Sequence, residues 1–212
     1  MAHLTLKRSK GGSDMHKKSV VLIFLSVFVL AVLMSGCAGM SKPSESNFKT
    51  PVVTLDYVDV AHYFGWWYYS SKVEPTKGKA GNNAGPLDYA FVFNIENPKS
   101  FPVMLDGFKF ACLIDGFELN SGYSSETVWI PAGKTNQLKV EVMYDFMGAL
   151  HSLLIVAGQD LKQKGIGAVD QNEKIWTNAP DFSFPVGVTQ GSAVFKADGL
   201  TKVAAFEGTY PQ

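Results

Sequence analysis

The 212-residue chain has two cysteines, Cys37 and Cys112, and four histidines. Two thiols make at most one disulfide, so this is not a cystine-stapled scaffold. Charge of either sign is in no surplus, since 19 Lys and Arg balance 19 Asp and Glu. A chain without a basic excess lacks the electrostatic footprint of a nucleic-acid binder. Catalytic signatures are missing as well. No Gly-x-Ser-x-Gly elbow occurs. Gly133-Lys134-Thr135 matches the end of a phosphate-binding loop, but Val128 stands where that loop needs its first glycine. The segment also joins two strand patterns instead of opening a helix, so it reads as a turn.

What is present begins at the N-terminus. His16-Lys17-Lys18 precedes one long apolar run, Ser19 to Met34, which closes on Ser35-Gly36-Cys37. A basic n-region, an apolar h-region and a small-residue cleavage site form an export signal. With cysteine directly after the small residues, the segment resembles a bacterial lipoprotein signal ending in Cys37. That resemblance implies a diacylglyceryl group on the Cys37 thiol and cleavage before it. Residues 1–36 are then the signal, with Met15 the better start, and 37–50 a lipidated tether. The alternative is an uncleaved spanning anchor, for which the run is near the lower length limit. Cleavage leaves 176 residues with 14 basic and 18 acidic side chains, net −4. That length suits one domain with a real core.

Strand signals dominate from Pro51 onward. Val52 to Val60 is rich in β-branched residues, and Leu87 to Glu96 alternates with Tyr89, Phe91, Phe93 and Ile95 on one face. Asn97-Pro98 ends that strand, because proline removes a ladder donor and restricts its predecessor. Phe108 to Ile114 and Phe117 to Leu119 flank Asp115-Gly116, a strong hairpin signal. The alternation puts Cys112 with Phe108, Phe110 and Ile114, as a core thiol and not a reactive one. Thr127 to Ile130 leads through Pro131-Ala132-Gly133-Lys134 into another alternating strand, Gln137 to Tyr144.

The period then changes. Phe146, Leu150, Leu153, Leu154, Ala157 and Leu161 recur at three- and four-residue steps. They predict one amphipathic helix, with Asp145 as N-cap and Gly165 as stop. A polar loop follows, then closing strands at Phe182 to Val188 and Ala193 to Lys196. Many short strands with regular turns predict a mainly β protein, a β-sandwich with a single helix covering one end.

The order Phe93-Asn94-Ile95-Glu96-Asn97-Pro98, Phe101-Pro102-Val103, Leu105-Asp106-Gly107, Ile114-Asp115-Gly116, Gly122, Ile130-Pro131-Ala132-Gly133 and Val140-Glu141-Val142 resembles the late-embryogenesis-abundant type 2 family, or WHy domain. The resemblance covers about Val52 to Gly199. It implies an immunoglobulin-like sandwich over 51–200, a C-terminal tail at 201–212, no cofactor, and a non-enzymatic role in desiccation and stress tolerance. Asn97, Pro98 and Gly116 match its motif in conformational roles.

Two histidines remain after the signal, His62 and His151. Asp59 and His62 offer two metal ligands without an evident third, and catalytic zinc takes three. No metal site is expected. The unusual constellation is Tyr63, Phe64, Trp66, Trp67, Tyr68 and Tyr69 around Gly65. In an extended segment alternate side chains face opposite ways, so these six cannot all enter one core. Either the following loop, Lys77 to Pro86, folds back over them, or they form an amphipathic surface for a membrane, a glycan or a protein partner. The combined expectation is a lipid-anchored protein of the cell envelope, at the outer membrane of a Gram-negative source because no Asp follows Cys37. Its expected partners are the membrane, client proteins or an envelope complex.

Overall fold

The computed structural model describes residues 41–64 and 85–211. The signal, Cys37, Trp66, Trp67, Tyr68 and Tyr69 lie outside the described residues.

Alternation becomes strands as expected. β1 (Val52–Tyr63), β2 (Leu87–Asn97) and β6 (Lys134–Tyr144) form an antiparallel sheet in the order β1-β2-β6. β3 (Val103–Ile114), β4 (Phe117–Ser124), β7 (Val186–Ala197) and β8 (Leu200–Tyr210) form a second, ordered β4-β3-β7-β8. β5 (Val128–Ile130) pairs with the first residues of β3. The result is a β-sandwich.

Its core is a phenylalanine lattice. Phe91 and Phe93 from the first sheet meet Phe108, Phe110 and Phe206 from the second. Ring centroids are 4.8 Å apart for Phe93–Phe108, 5.2 Å for Phe91–Phe110 and 5.4 Å for Phe93–Phe206. Edge-to-face pairs of this kind add to the large apolar area each ring buries. The lattice dictates a glycine, because a Cβ at Gly122 would stand 2.4 Å from the Phe110 ring. Cys112 is fully buried among these groups. Burial pushes its thiol up to about 12, which keeps it protonated and inert.

Turn chemistry follows the sequence. Asp115 and Gly116 take φ of 52° and 80°, both left-handed, as a two-residue hairpin requires. Asn97 is buried at the end of β2, and its Nδ2 donates to the carbonyls of Phe101, Ile130 and Pro131. Its Oδ1 accepts from the Lys99 amide at 3.1 Å. One side chain thus ties three loop segments together where the β2 ladder ends.

Five expectations are corrected. The tether ends earlier than Lys49: the amide of Ser44 donates to Asn47 Oδ1, and Phe48 is buried edge-on against Phe101. The single helix is two, α1 (Phe146–Ile155) and α2 (Gly158–Lys164), broken at Val156 and Ala157. Asp145 caps the first through a 2.8 Å bond from the Gly148 amide, and Gly165 ends the second in the left-handed conformation. A third helix, α3 (Ala168–Asn178), occupies the expected polar loop. Gln171 and Asn172 hold two of its buried positions, which hid the apolar period. The two closing strands are one strand, β7, with an irregularity at Gln190 (φ 52°). The expected tail is β8, turned out of β7 at Asp198-Gly199 with φ of 46° and 81°.

Candidate functional site

The chain enters the sandwich beside Asn97 and Phe101, and the helices gather at the opposite pole, where β1 ends and β2 begins. That pole holds the base of the aromatic segment. β1 delivers Tyr63, paired with Leu87. Its hydroxyl donates to the Trp176 carbonyl at 2.7 Å, and the fully buried Trp176 indole donates to the Gly85 carbonyl at 2.6 Å. The Phe64 amide donates to the Pro86 carbonyl at 3.3 Å. Residues 63–64 and 85–86, the described residues on either side of 65–84, are therefore held together by α3 and by one backbone bond.

Tyr63 is an anchor and not part of an exposed platform. It is half-buried against the core, and burial, with a smaller contribution from Asp181, raises its hydroxyl above the usual tyrosine range. Phe64 is exposed. Tyr89 lies beneath, its hydroxyl 3.4 Å from the Ala179 carbonyl, and its pKa is raised far beyond the ordinary value by burial.

The hairpin turn reaches the same pole. Asp115 Oδ2 accepts from Gln171 Nε2 at 2.6 Å and from Lys174 Nζ at 2.5 Å. This anchor between turn and helix was not read from the sequence. A carboxylate in a tight turn gives no local sign of a partner 59 residues away.

The histidine readings separate. His62 points to Asp88, its cross-strand partner, with Nδ1 and Oδ2 3.3 Å apart. Asp59 is opposite Ala90 instead. Among the described residues no three metal-ligating side chains converge. His151 lies exposed on α1. Two open grooves of about 370 Å³ flank Gln190 on the second sheet, one reaching Lys109, Glu118 and Tyr123, the other Phe206 and Glu207. Both are open to solvent, and the arrangement offers surfaces for contact.

Residues 92–192 match the late embryogenesis abundant protein family, type 2. The match supports that family for this chain. The late-embryogenesis-abundant span runs from the middle of β2 into β7 and contains Asn97, Asp115, Gly116, Gly122 and Gly133. β1 and β8 lie outside it. No curated protein matches the chain in sequence. Among solved structures, a protein from Archaeoglobus fulgidus is 11% identical, with 74% of this chain and 94% of that one covered at a TM-score of 0.39. A protein from Arabidopsis thaliana, solved in solution, is 13% identical, with 81% and 89% covered at a TM-score of 0.40.

Proposed function

We propose that the protein is a non-enzymatic, lipid-anchored envelope protein whose late-embryogenesis-abundant domain protects membranes or client proteins when water is withdrawn. The family match over 92–192 carries this reading. The basic, apolar and small-residue sequence ending in Cys37 supplies the anchor. Two features support it. The family's motif residues work here as conformational fixtures, Asn97 in a loop junction and Asp115-Gly116 in a hairpin. The outward face of β6 presents polar groups, including an exposed Lys139–Glu141 pair at 2.6 Å. Such a face competes for hydrogen bonds with surfaces that are losing water.

Stable anchoring by lipid takes more than one chain, as the lipoprotein resemblance implies. The test is fractionation of the full chain against Cys37→Ser. The proposal expects the parent in the membrane fraction with its N-terminus at residue 37, and the variant unprocessed or released. A variant that is cleaved and equally membrane-bound contradicts the anchor.

A further inference from the structure

Helix α1 is unusual for a surface helix. Its ten residues include no Asp, Glu, Lys or Arg. Ala149 and Leu153 face the sandwich and are buried. The opposite side carries Met147, Leu154 and Ile155, which with the following Val156 are 52%, 55%, 81% and 65% exposed. Met147, His151, Leu154 and Ile155 follow a spacing of four, seven and eight residues, one stripe along the helix. A helix at a solvated surface turns charge outward, as α3 does with Asp170 and Lys174. A helix apolar on both sides has partners on both sides.

Area and charge select the partner. Met147, Leu154 and Ile155, the apolar members of the stripe, expose on the order of 350 Å². A stable homodimer buries roughly 800 Å² per partner, about two-thirds of it apolar. The stripe is thus large enough to form the centre of such an interface. Without charge it has no electrostatic label for selecting a foreign protein. A bilayer fits less well. Interfacial helices set Lys and Arg opposite their apolar face, and α1 has neither. The chain also enters the sandwich at the far pole, about 35 Å away along β2 at the usual strand rise.

We propose that α1 is the contact of a homodimer, in which the stripe Met147, His151, Leu154 and Ile155 packs antiparallel against the same stripe of a second copy. The two-fold axis passes beside His151, so this residue meets its own counterpart.

The test is cysteine cross-linking of the full-length chain in the membranes of a bacterial host. His151→Cys with an added oxidant is expected to give a band of twice the monomer mass. Thr201→Cys, on β8, is expected to give none. Ile155→Glu in the His151→Cys background is expected to lower the cross-linked fraction at least about tenfold, because a buried unpaired charge opposes closure. The unaltered chain is the control: its Cys112 is buried, and any band formed through Cys37 appears there as well. The proposal is overturned if His151→Cys stays monomeric, or if Ile155→Glu leaves the dimer band unchanged. A cross-link to a different protein overturns it in favour of a foreign partner. Labelling of Leu154→Cys by a lipid-phase reagent, without cross-linking, overturns it in favour of the bilayer.

Discussion

The hydroxyl of Tyr63 donates to the backbone carbonyl of Trp176 at 2.7 Å, joining the end of the first strand to the third helix across 113 positions of sequence. Trp176 in turn donates to Gly85, so one indole-bearing residue closes the base of the aromatic segment. Tyr63→Phe is expected to cost about 1 kcal/mol, the net worth of one hydrogen bond. Trp176→Ala is expected to cost about 3–5 kcal/mol, because a large buried ring leaves a cavity. Urea denaturation of both variants checks the order. Equal stabilities would show that the helix does not hold that pole.

Asn97 makes a sharper case. Its buried amide serves three carbonyls and one amide hydrogen. Asn97→Ala leaves those groups short of partners and is expected to cost about 2–4 kcal/mol. Asn94→Ala, three residues earlier and half-buried, is expected to cost far less. Thermal melts of the two side by side decide it.

Two glycines separate steric from conformational need. Gly122→Ala places a Cβ against the buried Phe110 ring and is expected to cost about 1–3 kcal/mol through overpacking. Gly133 has nothing within 4 Å of its notional Cβ, but its φ is 64°. Gly133→Ala is expected to cost about 1 kcal/mol, from backbone conformation alone. Phe110→Leu should soften the first penalty and leave the second unchanged, which a double-mutant comparison measures.

These residues also show what the sequence revealed. Alternation exposed β2, β3 and β6 because the side-chain period is two, although β2, central in its sheet, buries Ala90 and Val92 on its other face as well. Asp115-Gly116 announced its hairpin through its demand for positive φ. Asp198-Gly199 carried the same signal, and reading it would have turned the expected tail into β8. α3 was hidden because Gln171 and Asn172 sit where the period needs apolar groups. The break between α1 and α2 was hidden because Leu153 before it and Leu161 after it are both buried, so the apolar period runs on across it. The candidate site was legible only as a run of aromatics. Tyr63 turned inward because its carbonyl partner lies on α3, beyond any local pattern.

The buried acids set the alkaline limit of the fold. Burial raises Cys112 to about 12 and raises Tyr63, Tyr89 and Tyr144 above the ordinary tyrosine value. In the unfolded chain these groups lose protons near 9 for the thiol and 10 for the phenols. The folded state keeps its protons longer, so stability is present below about pH 9 and falls as pH rises from there. Urea midpoints at successive pH values are expected to decline above that point. Cys112 is expected to resist thiol reagents in the native protein and to react fully in denaturant. Rapid native labelling would contradict its burial.

The central claim is protection, and it is tested most directly on residues 41–212, which include the compact unit Lys42–Gln212. The purified domain would be dried and rehydrated, and frozen and thawed, with a labile enzyme and with dye-loaded lipid vesicles. An equal mass of an unrelated β-sandwich protein is the control. The account predicts enzyme activity and dye retention well above that control. Protection no better than the control would contradict it, and would leave a contact module of the envelope in its place.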